Sequence, residues 1–122
     1  MKKALFIFII LASCASPEGG SEELQPEIFK SKIDGGATVL DVRTPEEYSN
    51  GHIAGSQNID FKDPSFDANI LTLDKARPYA VYCASGVRSG KAAEIMRQNG
   101  FTNVFTLAGG LKTWKEKGLP LE

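Results

Sequence analysis

Apolar positions along the chain fall into two regimes. From Ala4 to Ala12 nine consecutive residues are apolar, directly behind Lys2 and Lys3. Beyond Glu23 the apolar residues come in short runs separated by stretches of helical period. Thr38-Val39-Leu40-Asp41-Val42 is β-branched and apolar, the pattern of a strand covered on both faces. Tyr79–Tyr82 and Val104–Leu107 repeat it, and Ser56–Ile59 is a shorter version. Helices are predicted between these runs. Pro26–Ile33 is stopped by Gly35-Gly36. Thr44-Pro45-Glu46-Glu47 has a threonine N-cap, a proline at the first helical position and a glutamate at the third, a capping box, and the helix ends near Asn50-Gly51. Asp63-Pro64 reads as a second cap-then-proline start, for a helix through about Leu73. Arg88–Asn99 has apolar residues at 92, 93, 95 and 96, with Gly100 suited to close it. Gly110–Lys117 carries Trp114. Alternating strands and helices predict an α/β domain, a mostly parallel sheet of about five short strands with helices on both faces. Ligands of such sheets bind outside the carboxyl ends of the strands, which here selects the turns after Val42 and Tyr82.

The chain has 122 residues, 42% apolar and 24% charged, with a net charge of −1. That suffices for one domain. Without a basic block, nucleic acid is not an expected partner. The first apolar run is too short for a bilayer core, which takes roughly 20 helical residues, and fits the apolar part of a secretory signal. It closes on Leu11-Ala12-Ser13-Cys14, which resembles the lipobox of bacterial lipoprotein signals. Small residues at 12 and 13 suit a peptidase cleft, and the Cys14 thiol would take the lipid. The expected layout is a signal peptide over 1–13, acylated Cys14 and a flexible small, polar, acidic linker over 14–23, and the domain over 24–122. More than one acyl chain gives stable anchoring. This places the domain in the cell envelope, lipid-anchored to a bacterial membrane on its periplasmic side.

Tyr82 is followed by Cys83-Ala84-Ser85-Gly86-Val87-Arg88-Ser89-Gly90 and then a helix. A cysteine at a strand end, before a tight glycine-bearing loop and a helix N-terminus, sits where successive backbone amides can form an anion nest. The helix start adds roughly half a positive charge, and Arg88 adds a whole one. All three favour thiolate over thiol, so Cys83 is expected to be a nucleophile needing no general base. Its loop, Ala84 to Arg88, is the expected substrate-binding element. The only histidine, His52, lies far off in sequence and reads as structural.

These features together resemble the rhodanese (sulfurtransferase) family over nearly all of residues 24–122. Four segments match in order: Asp41-Val42-Arg43 with Glu46-Glu47-Tyr48; Gly51-His52-Ile53-Ala54-Gly55-Ser56-Gln57-Asn58-Ile59; Cys83 to Ser89; and Leu107-Ala108-Gly109-Gly110 with Trp114. The resemblance implies that Cys83 carries sulfane sulfur as a persulfide, taken from a small donor such as thiosulfate and passed to a thiophilic acceptor, cyanide or a thiol. It also implies that Asp41 pairs with the active-site loop, with Arg88 as the candidate partner, and holds its shape. Read from spacing alone, Arg43 and Glu47 form a local ion pair. The chain departs from many members in having Ala84 where they carry a basic residue that would help hold an anionic donor.

The alternatives are a non-catalytic binding or regulatory module of this fold at the cell envelope, and a cysteine phosphatase or arsenate reductase. Cysteine phosphatases use Cys-x5-Arg to encircle phosphate, whereas only four residues separate Cys83 from Arg88. No cofactor is expected, and no metal site with so few ligands. With Cys14 capped by lipid, Cys83 would be the only free thiol, expected to be exposed and prone to oxidation. An external thiol or a thioredoxin-like protein is the expected acceptor and reductant.

Overall fold

The computed structural model describes residues 22–122. The segments expected to form a signal peptide and lipobox, with Cys14, lie outside the described residues. Five strands form one parallel sheet: β1 (Glu22–Leu24), β2 (Thr38–Asp41), β3 (Gln57–Asn58), β4 (Tyr79–Tyr82) and β5 (Val104–Leu107), in the order β1-β5-β4-β2-β3. Helices α1 (Pro26–Asp34), α2 (Pro45–Ser49), α3 (Phe66–Ile70), α4 (Val87–Gln98) and α5 (Gly110–Glu116) connect or follow them. This is the α/β architecture that the alternating pattern predicts.

Period-two alternation along the strands divides the core into two layers. Tyr79, Val81 and Cys83 face one side, packed with Phe66 and Ile70 of α3 and Ala92, Ala93 and Met96 of α4. Ala80 and Tyr82 face the other, with Phe29 of α1 and Leu111 and Trp114 of α5. Both faces of β4 are therefore covered, which is why its four residues are all buried and all apolar or aromatic. The same alternation aims Cys83 at the face that carries α4, and hence at the start of that helix.

Two elements differ from expectation. Glu22 and Glu23, read as the end of a tether, pair with Phe105 and Thr106 as the edge strand β1. Its burial comes from Leu24 alone, so the hydrophobic pattern had little to show. Helix α3 begins at Phe66 and not after Asp63-Pro64. The Asp63 carboxylate accepts from the Ser65 amide at 2.8 Å, closing a turn in place of capping a helix. The capping box of α2 is formed as read: Thr44 Oγ1 accepts from Glu47 N at 3.3 Å, and Glu47 Oε1 accepts from Thr44 N at 3.3 Å.

Candidate active site

Strand β4 ends at Tyr82, and the next residue turns its sulfur into the loop that leads to α4. Gly86 N donates to Cys83 Sγ at 3.1 Å and Ser89 N at 3.4 Å, and the Cys83 thiol in turn donates to Ser89 Oγ at 3.4 Å. Burial pushes the Cys83 thiol up, but the Ser89 hydroxyl and the amides of Ser89, Gly86 and Ser85 outweigh it and hold the thiol below its ordinary value. These amides belong to residues 85, 86 and 89, so the loop acts through its backbone, as expected for a nest. Gly86 makes this possible: its φ of +104° turns its amide inward, a conformation costly for other residues.

Helix α5 holds the loop from behind. Leu111 N donates to the Cys83 carbonyl at 2.8 Å and Lys112 N to the Ala84 carbonyl at 3.2 Å. With its carbonyls engaged there, the loop presents its amides to the sulfur. Gly110 allows the close approach. Its φ is +64°, and a Cβ there would lie 2.6 Å from the carbonyl carbon and oxygen of Ala84 and from Ser85 N. Gly110 is thus part of the site, although it touches no reacting atom. The paired glycines after β5 were its only sequence signal.

The charged groups around the loop pair differently from the sequence expectation. Arg88 does not pair with Asp41. Its two terminal nitrogens donate to the two oxygens of Glu47, at 2.7 and 2.9 Å. Asp41 instead takes Arg43: Nη2 to Oδ2 at 2.7 Å, Nε at 3.0 and 3.1 Å, and the Arg43 amide to Oδ1 at 2.9 Å. The reason is geometric. Residues i and i+2 of an extended segment share a side, so Asp41 and Arg43 are neighbours. Glu47, at the third position of α2, is turned by the capping box toward α4. Arg88 and the Thr44 amide keep Glu47 ionised down to about 2, chiefly through the two arginine hydrogen bonds. Asp41 supports a different part of the site. Arg43 Nη2 also donates to Gly51 O at 2.7 Å, and Tyr82 Oη accepts from Ile53 N at 2.9 Å, so this buried group fixes the loop over 51–56. Burial, reinforced by Asp41, pushes the Tyr82 phenol above its ordinary range.

Ser89 and Glu47 join the site beyond the expected Ala84–Arg88 loop: Ser89 is the residue directly after it, and Glu47 is expected from sequence only as a helix cap and local partner of Arg43. His52 is structural, as read. Its ring stacks on Tyr48 with centroids 3.7 Å apart, its Nδ1 lies 2.9 Å from Tyr48 O, and its backbone exchanges hydrogen bonds with Glu122. Among the described residues no helix is long and apolar enough to cross a membrane.

Cys83 is 1% exposed, which corrects the expectation of an exposed thiolate. Alkylation should show both properties at once. The rate of reaction with iodoacetamide is expected to rise through a midpoint below the value of about 8.5 for a free cysteine, to a plateau lower than that of a small-molecule thiol. Measuring that rate against pH tests the nest, and a midpoint at or above about 8.5 would count against it.

Comparison with known proteins places this geometry. A family model described as a rhodanese-like domain matches residues 25–117. The protein YqhL of Bacillus subtilis is 37% identical over 114 residues, covering 93% of this chain and 88% of its own. Thiosulfate sulfurtransferase GlpE of Pseudomonas aeruginosa PAO1 is 35% identical over 94 residues, covering 77% and 84%. Among solved structures, a rhodanese-related protein of Thermoplasma volcanium superposes with a TM-score of 0.75 at 35% identity, covering 83% of this chain and 97% of that one.

Proposed function

The chain belongs to the rhodanese-like family, and from that premise we propose that it is a sulfurtransferase that carries sulfane sulfur on Cys83. The observation that carries the reading is the convergence of two backbone amides, those of Gly86 and Ser89, on Cys83 Sγ as donors. In the first half-reaction the thiolate attacks the outer sulfur of a donor such as thiosulfate. A new S–S bond forms, the donor's S–S bond breaks, and sulfite leaves with the electron pair. The negative charge then rests on the outer sulfur of the Cys83 persulfide. Amides that hold a thiolate hold a persulfide anion by the same means. In the second half-reaction an acceptor, cyanide or a thiolate, takes the outer sulfur and returns Cys83 as thiolate. Each half-reaction conserves charge and needs no base, in keeping with His52 being committed to Tyr48 and Glu122.

Arg88 favours sulfur transfer over phosphoryl chemistry. Its guanidinium fork is occupied by Glu47 and is not free to grip an oxyanion in the manner of a phosphatase arginine. Incubation with thiosulfate followed by mass spectrometry of the intact protein tests the proposal. A gain of one sulfur atom on Cys83, removed by cyanide, is expected. A thiol that never loads with any sulfane donor would favour the binding-module reading.

We also propose that the domain is tethered through Cys14 at the outer side of a bacterial membrane, on the strength of the nine apolar residues and the lipobox-like Leu11-Ala12-Ser13-Cys14. Cys14→Ala is expected to move the protein from the membrane to the soluble fraction, or to leave it unprocessed. Wild-type protein found wholly soluble and without lipid would refute the tether. A thioredoxin-like protein, or a small thiol, is the proposed acceptor in that compartment.

A further inference from the structure

Resting on the sulfur-transfer reading of Cys83, the geometry points to Glu47 as the residue that sets donor selectivity: by neutralising Arg88 it tunes the loop to sulfane donors bearing one negative charge, such as organic persulfides, and against the thiosulfate dianion.

The charges around the sulfur carry the argument. The side chains of Ala84, Ser85, Gly86 and Val87 are uncharged, so Arg88 is the loop's only cation. Both of its terminal nitrogens are spent on Glu47, and the pair is half-buried, with side-chain exposures of 19% and 33%. The pair is therefore fixed, and its net charge is zero. Asp41 and Arg43 form a second closed pair under the 51–56 loop. Lys112 borders the loop through its backbone, but it is exposed and its charge is screened by water. The attacking sulfur is itself an anion. A donor approaching it meets one negative charge offset by backbone dipoles, with no whole positive charge to balance its own. Repulsion doubles from a monoanion to a dianion. The reaction needs only the one negative charge that ends on the outer sulfur, and the amides of Gly86 and Ser89 supply for it. Val87, 63% exposed beside the loop, offers an apolar surface suited to the carbon part of an organic donor and unsuited to an inorganic dianion.

Two donors that deliver sulfur through the same bond test this. Methanethiosulfonate is a monoanion, thiosulfate a dianion, and both leave through sulfur–oxygen acids. Glu47→Gln removes the charge, while glutamine can still serve the capping box. The ratio of kcat/KM for thiosulfate to that for methanethiosulfonate is expected to rise on the order of tenfold at low salt, and the rise should shrink as salt is added. Ser85→Lys, at an exposed loop position, places a cation at the mouth without touching the pair, and should raise the same ratio. A purely structural Glu47 would instead lower both donors together at constant ratio and without salt dependence. That result in Glu47→Gln, or an unmoved ratio in Ser85→Lys where the first variant does not fold, overturns the inference. Loading of the wild-type protein by either donor while the ratios stay fixed removes the inference alone. Loading by neither removes the sulfur-transfer proposal with it.

Discussion

Cys83→Ser is expected to lose sulfur loading and turnover completely while remaining folded. Serine is nearly isosteric and still accepts hydrogen bonds from Gly86 N and Ser89 N, the contacts that Sγ makes now. The side chain is buried among Val81, Ala92 and Met96, so exchange of sulfur for oxygen is expected to cost about 1 kcal/mol of stability, not the fold. What serine lacks is chemistry. Its alkoxide is not accessible near neutral pH, and among the described residues the hydrogen-bond partners of Sγ, Gly86 and Ser89, include no base to generate it. Intact mass after thiosulfate treatment, with a thermal melt alongside, separates loss of chemistry from loss of structure. A folded variant that still gained a sulfur atom would move the reaction to another residue.

The parts of the site that the sequence made legible are those whose signal is local. Cys83 follows a run of four buried residues and precedes a glycine loop and a helix, and each of these is a short-range pattern. The capping box of α2 is equally local, and Thr44 and Glu47 form it. What was not legible depends on which elements become neighbours. Arg43 and Glu47 are four apart, the spacing of a helical ion pair, but Arg43 precedes the N-cap and never joins the helix. Its partner follows from strand periodicity, which Asp41 and Arg43 obey and which would have predicted the pair. Glu47 and Arg88 lie 41 residues apart and meet only because β2 and β4 are adjacent in the sheet. Gly110 shows the same limit. A glycine pair after a strand announces a turn, while the reason for it, contact with Ala84 and Ser85, belongs to the tertiary structure. Strand β1 left no side-chain signal, since two of its three residues are exposed glutamates held by backbone pairing.

Asp41→Ala is expected to be the most destabilising single change in the charged framework. Asp41 is fully buried and Arg43 is 5% exposed, so the variant would leave a guanidinium without its counter-charge inside the fold. Breaking a buried pair from one side costs about 3–5 kcal/mol, a large share of the roughly 5–15 kcal/mol that holds a domain together. A fall in Tm of more than about 10 °C follows for a domain of this size. Arg43→Met in the same chain should recover part of the loss, because the uncompensated charge is then gone and an apolar chain of similar length takes its place. Loading of Cys83 distinguishes this pairing from the one expected on family resemblance. Asp41 bonds to Arg43 and not to Arg88, and Arg88 stays locked to Glu47 without it. At a temperature where Asp41→Ala remains folded, Cys83 should therefore still take up sulfur. Folded protein that fails to load would mean that Asp41 acts on the active-site loop after all. A melt matching that of the wild type would mean that the Asp41–Arg43 pair contributes nothing to the fold.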